Sequence, residues 1–214
     1  MGDVDLFAAT KRLCKSPGLR FLEVGCAPGG SMVYFARTFG CAVSGFDYAP
    51  VGVELTKRNL EMSGVPGQVW HADLLSPDMP VPKHSFDVVF SMGVIEHFQE
   101  PRKALEAIHT LVAPGGMVIT SVPNITYLQG WLMRWMNPKR WEWHAAIGPE
   151  WLRDVQEDLG AKIVHCRYSG AYSLSELEVG LRERCPWAKG VLSSPIIFKA
   201  MGAASRRLFR LLGG

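Results

Sequence analysis

The stretch Arg20-Phe-Leu-Glu-Val-Gly-Cys-Ala-Pro-Gly-Gly30 decides the fold of this chain. Its first half is a short apolar run ending in glycine, which is typical of a strand buried on both faces of a parallel sheet. Its second half is rich in small residues, so the backbone can turn tightly and approach a ligand closely. Residues 30–39 have the apolar spacing of a helix, which Gly40 ends. A strand, a small-residue turn and a helix therefore follow one another directly.

The same alternation of strand and helix continues along the chain. Further strands are predicted over residues 41–46, 68–71, 86–91 and 117–122, and further helices over 51–63 and 101–112. The short connections suit only right-handed crossovers, so the pattern predicts an α/β fold with a doubly wound, mostly parallel sheet and helices on both faces. An opening helix over 5–14 and a sixth strand over 162–167 complete the predicted elements.

Composition limits the classes of protein to which the chain can belong. Of its 214 residues, 48% are hydrophobic and 20% are charged, which is typical of a single globular domain, with a core expected over about 20–168. No apolar run approaches the roughly 18–20 residues of a membrane span, and the first twenty residues lack the layout of a secretory signal. Five cysteines without a C-x-x-C spacing indicate free thiols in a reducing compartment, so we expect a cytoplasmic protein.

Candidate binding residues follow the predicted strands, where doubly wound sheets bind their ligands. Asp47 follows the second strand, and a carboxylate there can accept both hydroxyls of a ribose, although a helix N-cap is the alternative. Asp73 and Leu74 follow the third strand and can bind adenine through a carboxylate and a backbone N–H, although an Asx-turn would explain Asp73 alone. Glu96 and His97 follow the fourth strand and could equally be a surface pair that opens the next helix.

Taken in order, these segments resemble the class I S-adenosylmethionine (SAM)-dependent methyltransferases, most closely the ubiquinone-type O-methyltransferases. The resemblance runs from about Arg20 to about Arg167. It is carried by Phe21-Leu-Glu-Val-Gly-Cys-Ala-Pro-Gly-Gly30, Gly45-Phe-Asp-Tyr48, His71-Ala-Asp-Leu74, Phe86-Asp-Val-Val-Phe-Ser91, Glu96-His-Phe98, Leu111-Val-Ala-Pro-Gly-Gly116 and Val122-Pro-Asn124. It implies SAM as cofactor, S-adenosylhomocysteine as product, and a small-molecule acceptor. The expected acceptor atom is an oxygen of a hydrophobic, glycan- or lipid-linked metabolite.

The resemblance also implies roles for individual residues. The predicted cofactor-binding set is Glu23, Gly25, Cys26, Ala27, Gly29, Asp47, Tyr48, Asp73, Leu74, Ser91 and Met92. Within it, Glu23 would order the methionine end of the cofactor. His97 is the candidate base for a hydroxyl acceptor, because an unperturbed imidazole titrates near pH 6.5. Some ubiquinone-type members hold a divalent metal with an acid three residues before the position of Glu96. This chain has Gly93 there, so we predict no metal.

Two alternatives to a methyltransferase stay open at this point. Gly25-x-Ala27-x-x-Gly30 followed by an acid also fits a loose dinucleotide fingerprint, so an NAD(P)-dependent oxidoreductase is one of them. No tyrosine of the chain has a lysine four residues later, which excludes the Tyr–Lys pair of short-chain dehydrogenases but not other dehydrogenase classes. The second alternative is a SAM-binding module without catalytic activity.

Two further segments are candidates for recognising the acceptor or a partner. A tryptophan-rich helical insertion, a candidate lid, is predicted over about 124–148, with Trp131, Trp135 and His144 as acceptor-binding candidates and a plain helix core as the alternative. A basic amphipathic helix is predicted over about 190–214, either docked on the sheet edge or lying on an anionic membrane surface. Nucleic acid is not an expected partner, because the chain carries a net charge of only +3 and its basic tail has few aromatic residues.

Overall fold

The computed structural model describes residues 17–125, 130–131, 134–135, 138–142 and 144–168. These residues fall into two compact units: those up to Val122 belong to the first unit and those from Pro123 onward to the second. The opening helix predicted over 5–14 and the basic helix predicted over 190–214 lie outside the described residues. The prediction that the whole chain is a single domain stays a prediction.

A parallel sheet of five strands forms the centre of the first unit, in the order β3-β2-β1-β4-β5. The strands are β1 (Arg20–Val24), β2 (Ala42–Asp47), β3 (Gly67–His71), β4 (Phe86–Met92) and β5 (Val112–Ser121). The chain winds outward from β1 to β3, crosses back to the other side of β1, and winds outward again to β5. The predicted doubly wound topology is confirmed, and its switch point lies beyond the carboxyl ends of β1 and β4.

Three helices connect these strands, namely α1 (Gly30–Phe39), α2 (Pro50–Met62) and α3 (Pro101–His109), and a 3₁₀ turn, Ile95–His97, precedes α3. An aromatic cluster holds α1 on the sheet. Phe35 of α1 stacks on Phe21 of β1 with ring centroids 4.1 Å apart, and lies 5.4 Å from the ring of Phe90 on β4. All three side chains are fully buried, so the cluster fixes the helix that begins directly after the small-residue turn.

A charged contact joins the amino-terminal ends of β1 and β4. Asp87 Oδ2 accepts hydrogen bonds from the backbone N–H of Arg20 at 2.8 Å and from its Nε at 3.1 Å, while Oδ1 accepts one from Nη2 at 2.7 Å. These hydrogen bonds from Arg20 lower the pKa of Asp87. The contact stabilises the register in which Val24 lies beside Ser91 at the opposite ends of the same strands.

The fifth strand begins earlier than predicted. It starts at Val112 rather than Met117, so the segment Pro114-Gly-Gly116, whose proline and glycines are typical of a turn, lies inside it. This segment forms an irregularity in the ladder, because Phe86 pairs with Val112 but Val88 pairs with Met117. The pairing with β4 on both sides of the segment therefore overrides the local turn signal.

The sixth strand predicted over 162–167 is wrong. These residues form no strand, and Val164 is 68% exposed. A strand of a parallel sheet that helices cover on both faces needs a nearly continuous apolar run, whereas this segment offers only the adjacent pair Ile163 and Val164 between charged and polar neighbours.

The described part of the second unit is mainly helical. It contains α4 (Pro138–Glu142) and α5 (Pro149–Asp158). Four positions before α4 are also helical: Gly130, Trp131, Arg134 and Trp135. The predicted helical character of the insertion is confirmed at these positions. Among the helices that the structure describes, none has the length and apolarity needed to cross a bilayer.

Candidate functional site

Hydrogen bonds hold the turn after β1 against the end of β2. The backbone N–H groups of Gly25 and Cys26 both donate to the carbonyl oxygen of Phe46 at 3.0 Å. The N–H of Ala27 donates to Asp47 Oδ2 at 3.1 Å. The small-residue turn and the acid predicted to bind ribose therefore belong to one connected structure.

Two glycines of this turn are required by backbone geometry. Gly25 has a φ of +67°, and a Cβ there would lie 2.6 Å from Val94 Cγ2, in the loop after β4. Gly29, directly before α1, has a φ of +90°, and a Cβ there would lie 2.9 Å from Thr56 Cγ2 on α2. Both values of φ disfavour any residue with a side chain. The turn is therefore packed against α2 on one side and the β4 loop on the other.

The carboxylate of Asp47 is oriented by backbone donors. Besides the contact with Ala27, its Oδ1 accepts a hydrogen bond from the N–H of Ala49 at 2.8 Å. Ala49 is itself the N-cap of α2, and no side chain caps that helix, so the N-cap alternative for Asp47 is wrong. A carboxylate has about four lone-pair sites, so both oxygens keep a site that can accept a ribose hydroxyl.

The ends of β2 and β3 are tied together beside Asp47. His71 Nε2 donates to the carbonyl oxygen of Tyr48 at 2.8 Å, and the side chain of Tyr48 is exposed. Asp73 Oδ1 accepts a hydrogen bond from the N–H of Leu75 at 3.0 Å, so the Asx-turn described as its alternative does form. Leu74 is buried. Binding of adenine by Asp73 and Leu74 stays a prediction.

Glu23 is a buried carboxyl group at the carboxyl end of β1. The residue is 5% exposed, and its Oε2 has no hydrogen-bond partner among the described residues. Burial raises the pKa of Glu23 to about 8; the nearby Ser31 hydroxyl and Met32 N–H oppose this shift, and the Asp47 carboxylate adds to it. A buried carboxyl oxygen without a partner is costly, and it fits a cationic group of a ligand.

Three other members of the predicted cofactor-binding set, Ser91, Met92 and Cys26, differ in their burial. Ser91 is fully buried and its Oγ has no partner among the described residues, whereas Met92 at the end of β4 is exposed. The thiol of Cys26 points into the core, 3.8 Å from Thr56 Oγ1, and burial raises its pKa to about 12. Cys26 is therefore an unreactive packing residue, and its contact with a cofactor stays a prediction.

Glu96, which the predicted cofactor-binding set does not include, is a second buried carboxyl group in this region. Its side chain is 2% exposed and its Oε2 has no partner among the described residues. Burial raises the pKa of Glu96 to about 7, against the opposing effect of its own backbone N–H. His97 is half-exposed, with Nε2 4.0 Å from Glu96 Oε1. The surface-pair alternative is therefore wrong for Glu96. The sequence signal for the burial of Glu96 is the apolar residue directly before it, Ile95, which is itself fully buried.

The three acceptor-binding candidates belong to the second unit. Trp131 and Trp135 are 63% and 58% exposed, so the alternative that they form a helix core is wrong for these two residues. His144 is half-buried, and its backbone N–H donates to the carbonyl oxygen of Trp141 at 3.2 Å. Their part in binding an acceptor stays a prediction.

Comparison with known proteins identifies the family. Residues 3–165 match the family model described as a methyltransferase domain. The chain belongs to this family. A ubiquinone biosynthesis O-methyltransferase from Cereibacter sphaeroides (strain ATCC 17025 / ATH 2.4.3) is 31% identical over 151 residues, which are 67% of this chain and 60% of that protein. The chain thus spans less than two thirds of this relative's length.

Solved structures show the same fold. The [4+2]-cyclase SpnF superposes with a TM-score of 0.66 at 19% identity, covering 84% of this chain and 65% of the other. A putative sarcosine dimethylglycine methyltransferase from Galdieria sulphuraria superposes with a TM-score of 0.64 at 16% identity, covering 93% and 75% of the two chains. At these identities the likeness shows the class I methyltransferase fold alone, and a shared fold does not fix the reaction.

SAM is the cofactor of the class I methyltransferases, and the residues at this site fit it. The unpartnered, buried Oε2 of Glu23 can accept the ammonium group of the methionine part. The oriented carboxylate of Asp47 keeps acceptor sites for the ribose hydroxyls. At Gly25 the close approach of Val94 leaves no space for a side chain, which keeps the turn after β1 narrow. Glu23, Asp47 and Gly25 lie at or directly after the carboxyl ends of β1 and β2, where a doubly wound sheet binds its ligand.

Proposed function

We propose that this methyltransferase domain transfers a methyl group from SAM to an oxygen atom of a small, hydrophobic or lipid-linked acceptor. The observation that carries the proposal is the connected structure formed by the small-residue turn, the oriented carboxylate of Asp47 and the buried carboxyl of Glu23. The name of the Cereibacter sphaeroides relative supports oxygen as the acceptor atom.

When bound, SAM supplies an electrophilic methyl group on a positively charged sulfur. The residues of the chain then have to hold the acceptor in line with the breaking S–CH₃ bond and keep water away. Such alignment is worth up to roughly 7–11 kcal/mol of barrier lowering. The acceptor oxygen forms the new bond to carbon, the electron pair of the broken bond stays on sulfur, and the acceptor hydroxyl loses its proton.

His97 is proposed as the group that takes this proton. It ends the 3₁₀ turn that follows β4, near the switch point of the sheet. Its half-exposed ring leaves it accessible to an acceptor. The variant His97→Gln keeps the size and polarity of the side chain but cannot act as a base near neutral pH. We expect it to lower kcat by at least about tenfold while the affinity for S-adenosylhomocysteine stays unchanged. An unchanged kcat would remove His97 from the mechanism.

Cofactor binding is tested by isothermal titration calorimetry with S-adenosylhomocysteine. We expect the wild-type chain to bind it and Asp47→Asn to bind it at least about tenfold more weakly, because hydrogen bonds to charged groups contribute about 1.5–3 kcal/mol each. The control is Asp154→Asn, which makes the same exchange at an exposed position of α5. No binding by the wild-type chain, or equal binding by Asp47→Asn, would contradict the proposal.

Methyl transfer is tested with SAM labelled in its methyl group, incubated with lipid and aqueous extracts. Label in a lipid-extract product that is released by cleavage of a methyl ether or ester would support the proposal. Binding of S-adenosylhomocysteine without transfer to any fraction would favour a SAM-binding module. Thermal stabilisation by NAD(P)H, without response to S-adenosylhomocysteine, would favour the oxidoreductase.

The proposal extends to location. A cytoplasmic protein in peripheral contact with a membrane would reach a lipid-linked acceptor, and the free thiols of Cys26, Cys41 and Cys166 support a reducing compartment. The exposed rings of Trp131 and Trp135 support contact with a lipid interface. Co-sedimentation with anionic vesicles should decrease in the Trp131→Ala/Trp135→Ala variant; equal sedimentation would contradict the membrane contact.

A further inference from the structure

Glu23 is a carboxyl group enclosed at the carboxyl end of β1. It lies one residue before the end of β1, beside Phe90 of β4 and Gly45 of β2. Ser31 and Met32, at the start of α1, face its carboxyl group. Its Oε2 is enclosed, yet no donor among the described residues reaches it. The carboxyl group therefore has one oxygen near polar groups and one oxygen without a partner.

Within the described residues, the titratable groups that face Glu23 are an acid and a thiol, not a cation. Asp47 faces it from the end of β2, and the thiol of Cys26 faces it from the following turn. Among the described residues, no Lys, Arg or His forms an ion pair with Glu23. A carboxylate that is taken out of water beside another carboxylate is unfavourable, so the protonated form is favoured. Accordingly, the pKa of Glu23 is raised to about 8.

We propose that Glu23 holds a proton in the ligand-free chain and releases it to solvent when the ammonium group of SAM or S-adenosylhomocysteine binds at Oε2. This inference rests on the proposed function, and adds to it that recognition of the ammonium group is coupled to a proton. The protonated carboxyl and the ammonium ion become an ion pair, and one proton leaves. A ligand with the same nucleoside but no ammonium group leaves the proton on Glu23.

The coupling makes cofactor affinity depend on pH in one direction. Below the pKa of Glu23, a proton must be removed before the ion pair can form, so affinity falls by up to roughly tenfold for each unit of decreasing pH. Above about pH 8 the carboxyl group is already ionised, and affinity no longer rises for this reason. Glu23 would then select ligands that carry an amino acid part, since only they compensate its buried charge.

Proton release is measured by isothermal titration calorimetry at pH 6.5 in two buffers with different ionisation enthalpies. S-adenosylhomocysteine carries the ammonium group, and 5′-methylthioadenosine has the same nucleoside without it. We expect close to one proton released per S-adenosylhomocysteine bound, and none for 5′-methylthioadenosine. We also expect the number to fall toward zero as the pH is raised above 8. Binding of S-adenosylhomocysteine with no proton release at pH 6.5 would overturn the inference.

The variant Glu23→Gln assigns the proton to this residue. It keeps a neutral side chain of the same size, so we expect weaker binding of S-adenosylhomocysteine, no proton release and a flat pH dependence of affinity. Glu61→Gln, the same exchange at an exposed position of α2, is the matched control and should behave as the wild type. Proton release retained in Glu23→Gln would overturn the inference. If that variant does not fold, the comparison of the two ligands on the wild-type chain still decides. Binding of neither ligand would refute the proposed function, and this inference with it.

Discussion

The buried carboxyl group of Glu96 predicts a pH-dependent change in the stability of the first unit. Its side chain is 2% exposed, and burial raises its pKa from the ordinary 4.5 to about 7. The folded chain therefore binds the proton more tightly than the unfolded chain. The stabilisation from this proton is fully present below pH 4.5 and is lost as the pH rises through about 7. Since a tenfold change in proton affinity corresponds to about 1.36 kcal/mol, the whole effect amounts to about 3 kcal/mol.

Glu96→Gln removes the titration and keeps a neutral side chain of similar size. We expect the variant and the wild type to have similar free energies of unfolding near pH 4.5. Between pH 5 and pH 8.5 the difference should grow by roughly 2–3 kcal/mol in favour of the variant. Urea unfolding at four pH values in this range, followed by tryptophan fluorescence and circular dichroism, measures the difference directly. Glu23, whose pKa burial also raises, is present in both proteins, so we expect its titration to cancel in the difference.

The matched control is Glu61→Gln, which makes the same exchange at an exposed position of α2. Its difference from the wild type should stay constant within about 0.5 kcal/mol over the whole range, as is usual for surface substitutions. A difference for Glu96→Gln that is equally constant would refute the reasoning, because it would mean that Glu96 is ionised in the folded chain throughout. A variant that becomes less stable with rising pH would reverse the sign and refute it as well.

Two further predictions concern the stability of the first unit. Gly25→Ala should lower the free energy of unfolding by about 2–4 kcal/mol in urea titrations, because a φ of +67° and a Cβ 2.6 Å from Val94 Cγ2 act together. Gly18→Ala, at a φ of +80° with open space around it, should show only the backbone part of about 1–2 kcal/mol; equal losses would contradict the packing argument. Asp87→Asn should cost about 1 kcal/mol at pH 7 through its contact with Arg20, a value reduced for partial exposure. Because the pKa of Asp87 is lowered, this loss should shrink as the pH falls toward 3; a loss that does not shrink would count against the ion pair.

The elements of the sheet were predictable because their signals are local. The apolar run of β1, the small residues after it and the helical spacing of residues 30–39 each depend on neighbours in the chain. Once the strands are parallel and doubly wound, the residues that follow them must share one edge of the sheet. Asp47 and Gly25 could therefore be placed at the same site from the sequence, and the hydrogen bond from Ala27 to Asp47 confirms this proximity.

The succession of the first five strands along the chain, and the residues near their carboxyl ends, were thus predictable from the sequence alone, since periodicity and turn chemistry act within a few residues. Only the tertiary structure decided which of these residues are enclosed. Glu96 is an acidic residue beside a histidine, a pair that could equally lie at the surface, yet the segment after β4 folds inward and buries its side chain. The segment 162–167 has β-branched residues but forms no strand. Burial and strand pairing depend on residues that are far apart in the chain. The local sequence therefore cannot fix the ionisation of a carboxyl group or decide whether a segment forms a strand.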